Sequence, residues 1–150
     1  MELVLFIGIQ AAGKSSFYRQ RFFRTHVRVN FDMLRTRHRE KLLAESCLAG
    51  KTPFVVDNTN LTRQDRARYI APAKACGFTV DGYFFRSVRA EALLRNASRV
   101  GGERVPDLAI AGASRRLELP SLTEGFDRLF FVRLDSEDRF LVEDWRDDVR

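Results

Sequence analysis

A glycine-bounded stretch near the start of the chain carries residue types that bind phosphate. Gly8, Gly13, Lys14 and Ser15 match the spacing G-x-x-x-x-G-K-[ST]. In such a loop, backbone N–H groups point at the β- and γ-phosphates of a nucleotide, and the lysine places a compact cation on the same oxygens. The hydroxyl of Ser15 is positioned to bind Mg²⁺. The stretch therefore predicts a site for ATP and Mg²⁺ formed by Gly8, Ile9, Gln10, Ala11, Ala12, Gly13, Lys14, Ser15 and Ser16.

The segments on either side of this loop agree with that prediction. Leu3–Ile7 is a short apolar run, typical of a strand buried on both faces. The aromatic residues of Ser16–Arg24 are spaced to lie on one face of a helix. The alternative is an ordinary strand-to-helix turn that holds a lysine by chance. The matched order of strand, loop and helix favours the phosphate-binding interpretation.

Two acids at the ends of predicted strands are candidates for the remaining chemistry. Asp57 closes an apolar strand, where such folds hold a metal ion or its waters, and Asp32 follows another strand, where it could accept a proton from an acceptor hydroxyl. Each acid also has a purely structural interpretation. Asp32 could be a helix N-cap, and residues 57–60 could form a simple polar turn. Sequence position alone does not choose between these accounts.

Phosphoryl transfer also needs cations for the moving phosphate, and three arginines are candidates. Arg95 and Arg99 are four residues apart, which places them on one face of a predicted helix. Arg104 follows in a glycine-containing segment that could act as a hinged lid over the phosphate. The structural alternative is a solvated arginine face, which is the usual fate of a charged stripe.

Strands and helices alternate along the chain, which predicts an α/β fold with a parallel five-stranded sheet and helices on both faces. Ligands bind such sheets beyond the carboxyl ends of the strands, where Gly8, Asp32 and Asp57 all emerge. The acidic tail could add an edge strand near Phe140–Val142. The predicted strands cover residues 3–7, 27–31, 54–57, 79–85 and 129–134, and the helices cover 16–24, 33–44, 62–76, 88–99 and 106–117.

Composition indicates one globular domain over residues 1–150, with 45% hydrophobic and 31% charged residues. No apolar run approaches the roughly 18–20 residues that cross a membrane, so we expect a cytoplasmic protein with no membrane partner. The formal net charge is +6, although the last 16 residues are acidic, and most basic side chains are arginine. A basic, arginine-rich protein is suited to bind a partner with several phosphates. The arginine bias of a GC-rich genome explains the same composition equally well. His26 and His38 are interpreted as surface residues without partners.

Several motifs together resemble the kinase domain of polynucleotide 5′-hydroxyl kinases, in the P-loop kinase superfamily of ATP-binding proteins. The resemblance runs nearly from end to end. The run Asp57-Asn58-Thr59-Asn60 and the pattern Arg95-Asn96-x-x-Arg99 are more specific than the loop. Further matching segments are Val29-Asn30-x-Asp32-x-x-Arg35, Arg66-Ala67-Arg68-Tyr69-Ile70, Val105-Pro106-Asp107 and Pro120-Ser121-Leu122-x-Glu124-Gly125-Phe126.

The resemblance implies the P-loop kinase fold, with a parallel sheet in 2-3-1-4-5 order, and specific roles for the matching residues. Asp32 would be the general base for the 5′-hydroxyl, and Arg35 would contact the acceptor strand. Asp57 and Thr59 would lie at the acceptor site. The resemblance assigns contact with the transferring phosphate to Arg95 and Arg99.

The chain departs from the family pattern in two ways. Gln10-Ala11 stands where the family often has Pro-Gly, which restricts the backbone of the loop. We also expect no fused phosphatase or ligase module within the 150 residues. The leading hypothesis is an ATP- and Mg²⁺-dependent kinase acting on the 5′-hydroxyl of DNA or RNA. A small-molecule kinase for a nucleoside, sugar or antibiotic, and a non-catalytic nucleotide-binding switch, are the alternatives.

Overall fold

The computed structural model describes residues 1–148. Six strands form one sheet in the order β2-β3-β1-β4-β5-β6. The strands are β1 (Glu2–Ile7), β2 (Val27–Val29), β3 (Phe54–Val56), β4 (Thr79–Phe85), β5 (Arg128–Leu134) and β6 (Phe140–Asp144). The helices are α1 (Lys14–Arg21), α2 (Phe31–Leu34), α3 (Arg37–Ala49), α4 (Arg63–Ala75), α5 (Arg89–Ala97) and α6 (Asp107–Arg116), with short 3-10 helices at Gly101–Glu103 and Leu122–Glu124.

Strand β1 lies at the centre of the sheet because its side chains are apolar on both faces. Residues Leu3 to Ile7 have no measurable exposure to solvent. On one face they pack with α3 and α4, and on the other with α1 and side chains from β6. β1 pairs in parallel with β3 and β4, so their carboxyl ends meet at one edge. The predicted α/β fold with helices on both faces is confirmed.

The sheet has six strands, which are the five predicted parallel strands and one further, antiparallel strand. Strands β2, β3, β1, β4 and β5 are parallel in the expected order, and β6 is added antiparallel to β5. Its register places Val142 opposite Val132. The edge strand considered near Phe140–Val142 therefore exists and extends to Asp144. β6 can pair antiparallel to β5 because only residues 135–139 connect the two strands.

The single helix predicted over residues 33–44 is wrong, because the chain breaks it at Arg35. That residue adopts a left-handed conformation with φ of 76° and ends α2. Helix α3 then starts afresh, with the Thr36 side chain accepting a hydrogen bond from the backbone N–H of Arg39. β2 likewise ends at Val29, two residues earlier than predicted, since Phe31 already belongs to α2.

His26 is not the isolated surface residue that the sequence suggested. Its Nε2 atom lies 2.7 Å from Oε1 of Glu2, at the amino-terminal edge of the sheet.

Within residues 1–148, no helix is both long enough and apolar enough to cross a membrane.

Candidate active site

The predicted phosphate loop joins β1 to α1 and has the backbone of an anion cradle. Gly13 has φ of 97° and precedes the first turn of α1, so the loop presents its N–H groups at a helix N-terminus. Ala11 also lies in the left-handed region, with φ of 61°. The alanine that replaces the usual glycine therefore takes up a glycine-like conformation, at a cost of about 1–2 kcal/mol. The backbone N–H of Gly8 donates to the carbonyl of Thr59 at 3.0 Å, which ties this loop to the one after β3.

Lys14 is buried in the loop and folds back onto its carbonyl groups. Its Nζ donates to the carbonyl oxygens of Gly8 at 2.9 Å and Ile9 at 2.6 Å. The pKa of Lys14 is lowered from 10.5 to about 8, mainly by burial; Asp57 opposes this shift, Arg99 adds to it, and Asp32 opposes it. The predicted catalytic groups Asp32 and Arg99 are therefore both within electrostatic reach of Lys14.

Ser15 and Asp57 meet beside the loop. The Ser15 hydroxyl donates to Oδ2 of Asp57 at 3.0 Å, and Asp57 is 2% exposed. These hard oxygen donors suit Mg²⁺, which commonly takes one or two protein oxygens and completes its shell with phosphates and water. No cluster of three or more acidic, histidine or cysteine ligands occurs among residues 1–148. This contact favours the metal-side interpretation of Asp57 over direct acceptor binding.

Arg28 is a member of this site that the sequence analysis missed. Its Nε donates to Oδ2 of Asp57 at 2.9 Å and its Nη2 donates to Oγ of Ser15 at 3.0 Å. These partners are 29 and 13 residues away in sequence, so no local pattern reveals them. The available signal was an arginine between two valines in a strand that was otherwise read as apolar.

Asp32 lies in the first turn of α2, exposed to solvent. The N-cap alternative for Asp32 is wrong, because Asn30 is the cap: its Oδ1 accepts from the backbone N–H of Met33 at 3.0 Å. Within residues 1–148, Asp32 makes no hydrogen bond or ion pair. Its carboxylate is therefore available to an incoming group.

Two residues outside the predicted set hold the helix that carries Asp32. Oδ1 of Asn58 accepts from the backbone N–H of Phe31 at 2.8 Å, and its Nδ2 donates to Oε2 of Glu40 at 2.6 Å. Glu40 is 1% exposed and also binds Nη1 of Arg37 at 2.7 Å. A buried carboxylate with two strong partners is fixed in place, so this chain of contacts fixes the backbone next to Asp32.

A cavity of about 340 Å³ opens between the loop after β3 and helix α6. Thr59, predicted to bind the acceptor, lines it, whereas Asp57 lies buried beside Ser15. Gly112 forms part of its wall, and a Cβ atom added there would meet nothing within 4 Å. The other lining residues are Gln10, Arg37, Asn58, Asn60, Leu61, Asp65, Arg68, Ala109, Ala113 and Arg116.

A second, smaller cavity of about 190 Å³ lies on the opposite side of the loop, between α5 and the β5–β6 hairpin. Arg95 lines it and its Nη1 donates to the carbonyl of Ala11 at 3.4 Å. Arg99 instead points its Nη1 at the carbonyl of Glu103, 3.2 Å away. Arg104 is exposed, and its backbone N–H donates a hydrogen bond to the carbonyl of Gly101.

Asn96 pins the segment that connects α5 to α6. Its Oδ1 accepts from the backbone N–H of Val105 at 3.0 Å, and its Nδ2 donates to the carbonyl of the same residue at 2.6 Å. The side chain is fully buried. Asn96 and Val105 therefore hold the two ends of the segment predicted to be a lid, and residues 98–104 between them are exposed except for the half-buried Arg99.

Comparisons with known proteins agree with this architecture. A model of the AAA domain family matches residues 3–120. The bifunctional polynucleotide phosphatase/kinase of Schizosaccharomyces pombe is 26% identical over 129 residues, which is 83% of this chain but only 32% of that protein.

Two solved structures share the fold at low sequence identity. A gluconokinase from Sinorhizobium meliloti has a TM-score of 0.60 at 18% identity, covering 88% of this chain and 82% of its own. Chaetomium thermophilum Kti12, solved with ADP-AlF3, has a TM-score of 0.68 at 16% identity, covering 89% of each chain.

Proposed function

The chain belongs to the AAA domain family, and from this membership and the site we propose that it transfers the γ-phosphate of ATP to the 5′-hydroxyl of DNA or RNA. Kinase-like, ATP-dependent phosphotransfer is supported by the family and by a fold shared with kinases. The polynucleotide acceptor is supported by the similarity to a polynucleotide phosphatase/kinase, of which this chain spans about a third. The free thiols of Cys47 and Cys76 suit the cytoplasm, where we place the protein.

The observation that carries the proposal is the position of Asp32 relative to Lys14. Lys14 belongs to the phosphate loop, and Asp32 is close enough to raise the pKa of Lys14. Asp32 nevertheless has no partner of its own within residues 1–148. A protein that only binds nucleotide does not need a free carboxylate at this position, whereas a kinase needs a proton acceptor for the attacking hydroxyl.

In the proposed reaction, Asp32 takes the proton of the acceptor hydroxyl as its oxygen attacks the γ-phosphorus. The bond between that phosphorus and the β–γ bridging oxygen breaks, its electron pair remains on the bridging oxygen, and ADP leaves. Lys14, Arg95 and Arg99 supply positive charge to the oxygens where negative charge develops. Arg95 already reaches the loop, whereas Arg99 would turn from the Glu103 carbonyl towards the phosphate.

Ser15 and Asp57 are the residues that would hold Mg²⁺ at this site. When bound there, the ion neutralises charge on the β- and γ-phosphates. The loop N–H groups and Lys14 would bind and orient the same phosphates for transfer.

The cavity beside α6 is the proposed acceptor site, with Thr59 on its wall; Arg37, two residues after Arg35 in sequence, also lines it. Three arginines line it, Arg37, Arg68 and Arg116, and guanidinium groups bind phosphate oxygens in pairs. A volume of about 340 Å³ is at the lower end of the range for small-molecule pockets, about 300–1,000 Å³. The cavity therefore suits the terminal unit of a strand, with the rest of the strand on the basic surface.

A second candidate is a kinase for a small hydroxyl compound, such as a nucleoside, sugar or antibiotic. A cavity of about 340 Å³ is of a size that holds such a compound, and a gluconokinase shares the fold of this chain. A nucleotide-binding switch is the third possibility, and the free carboxylate of Asp32 argues against it.

The test is a transfer assay with labelled ATP and Mg²⁺ against separate panels of 5′-hydroxyl oligonucleotides and small alcohols. We expect label on the oligonucleotides, and we expect binding to weaken with added salt, with a log–log slope of about −0.7 for each phosphate that is neutralised on a single strand. Arg35→Ala should reduce that slope and leave ATP binding unchanged. Label only on a small alcohol would replace the polynucleotide proposal with the second candidate. ATP binding without any transfer would favour the switch.

A further inference from the structure

Arg28 holds both oxygen donors of the proposed metal site at once. Its guanidinium reaches Oδ2 of Asp57 at 2.9 Å and Oγ of Ser15 at 3.0 Å, while Ser15 itself donates to the same Oδ2 at 3.0 Å. The three side chains thus form a closed triangle of hydrogen bonds. The serine hydroxyl has one hydrogen and two lone pairs, so this triangle already uses its hydrogen and one lone pair.

The surroundings keep Arg28 in this position. β2 is an edge strand, and Arg28 lies opposite Val55, two residues before Asp57 on the neighbouring strand. The guanidinium carbon lies 5.8 Å from the centre of the Tyr18 ring, within the distance of a cation–π contact. Tyr18 is fixed in turn, because its hydroxyl donates to the carbonyl of His26 at 2.6 Å. The Arg28 side chain is 27% exposed, so it has a route outward into solvent.

A divalent cation on Ser15 would lie beside this guanidinium. Mg²⁺ binds its oxygen ligands at about 2.0–2.1 Å, so the ion and the guanidinium would both be in contact with the same hydroxyl oxygen. Positive charges at such a separation repel strongly where little water screens them, and Asp57 is almost fully buried. Until nucleotide phosphates are bound, the single carboxylate of Asp57 cannot neutralise Lys14, Arg28 and a divalent ion together, and even with nucleotide the ion and the guanidinium would share the Ser15 oxygen.

We propose that Arg28 and Mg²⁺ compete for Ser15 and Asp57, so that Arg28 sets the metal affinity of the nucleotide complex. Metal entry requires the guanidinium to leave the triangle, and Arg28 supplies positive charge beside the loop when metal is scarce. This inference rests on the proposed function only in requiring that nucleotide binds the loop. In this inference Arg28 controls metal binding at Ser15 and Asp57 and has no part in the choice of acceptor.

The experiment measures the affinity of Mn²⁺ for the ADP complex, with free Mn²⁺ followed by electron paramagnetic resonance. Binding of ADP without metal is measured first by calorimetry. Arg28→Met keeps an unbranched stem on Tyr18 but removes the charge, and we expect it to bind Mn²⁺ about tenfold more tightly than wild type. Arg24→Met is the matched control, because Arg24 is an exposed arginine that makes no hydrogen bond or ion pair within residues 1–148. It should leave the Mn²⁺ affinity unchanged.

A second measurement uses the wild-type protein, so the test does not depend on how well the variant folds. The Nε–H of Arg28 should give a protected NMR signal in the ADP complex, because it is hydrogen-bonded to Asp57. Addition of Mg²⁺ should shift that signal and speed its exchange with solvent. An unchanged signal, or an Arg28→Met variant with wild-type or weaker Mn²⁺ affinity, would overturn the inference. Failure of ADP to bind at all would instead refute the proposed function.

Discussion

The affinity of the loop for nucleotide should fall as pH rises, because Lys14 must be charged to hold phosphate. Burial is the main reason that its pKa is lowered to about 8, and the nearby Arg99 adds to the effect. A bound phosphate favours the charged form of lysine, so nucleotide binding should raise this pKa again. Protons should therefore be taken up when ADP binds above pH 8.

The size of the effect follows from the pKa. With a pKa of about 8, about three quarters of the Lys14 side chains are charged at pH 7.5 and about 3% at pH 9.5. If only the charged form binds, the dissociation constant for ADP should rise about 25-fold over that range, or ~1.9 kcal/mol. The nucleotide contributes little to this change, because the second pKa of a phosphate group is about 6.

The same shift predicts the pH dependence of stability without ligand. Between about pH 8 and pH 10.5, the unfolded chain binds more protons at Lys14 than the folded protein does. The contribution of Lys14 to the free energy of unfolding should therefore rise with pH through this window. Below pH 8 the buried ammonium should have its full destabilising effect.

The assay is calorimetric titration of ADP at pH 7.5, 8.5 and 9.5, in buffers of different ionisation enthalpy that report proton uptake. Lys14→Met is the control, since it has no group to titrate and should bind ADP weakly with no pH dependence in this range. A wild-type affinity that stays constant up to pH 9.5 would refute the reasoning. So would an equal decline in Lys14→Met.

Four substitutions test the rest of the site. Asp32→Asn should lower the transfer rate about a hundredfold or more while ADP affinity by calorimetry stays unchanged; normal transfer would mean that another group takes the proton. Gly112→Leu should raise the KM for acceptor and leave ADP affinity and thermal stability intact, with Gly112→Ala as the smaller control; an unchanged KM would place the acceptor elsewhere. Ala11→Gly should relieve left-handed strain and raise the free energy of unfolding by about 1 kcal/mol in urea titrations, and a loss of stability would contradict this. Asn58→Ala should cost about 1–3 kcal/mol in the same titrations and lower kcat more than ADP affinity; a purely structural role would leave kcat unchanged in the folded variant.

Features encoded by neighbouring residues could be predicted from the sequence. The apolar run Leu3–Ile7 and the glycine spacing after it identified β1 and its loop, because both signals are complete within a dozen residues. The helix predicted over residues 62–76 likewise matches α4, which begins at a capping box formed by Thr62 and Asp65. The strand order came from resemblance to a family, since no local signal in one chain specifies which strands are neighbours.

Features that depend on distant contacts could not be predicted. The break at Arg35 depends on a left-handed backbone conformation, which an arginine in the sequence does not predict. Asn30 fell within the predicted strand and Thr36 within the predicted helix, so neither residue was recognised as a helix cap. Arg28 and Glu40 matter through partners on other elements, so their roles emerge only once the strands and helices are brought together.

The composition of the two outer strands has a consequence for how molecules of this protein meet one another. β2 has only three residues and carries an arginine at its centre, whereas β6 ends in Glu143 and Asp144. Short or charged strands are poor templates for hydrogen bonding to a strand of a second molecule. Both borders of the sheet therefore resist edge-to-edge aggregation, and self-association would have to use the helical faces instead.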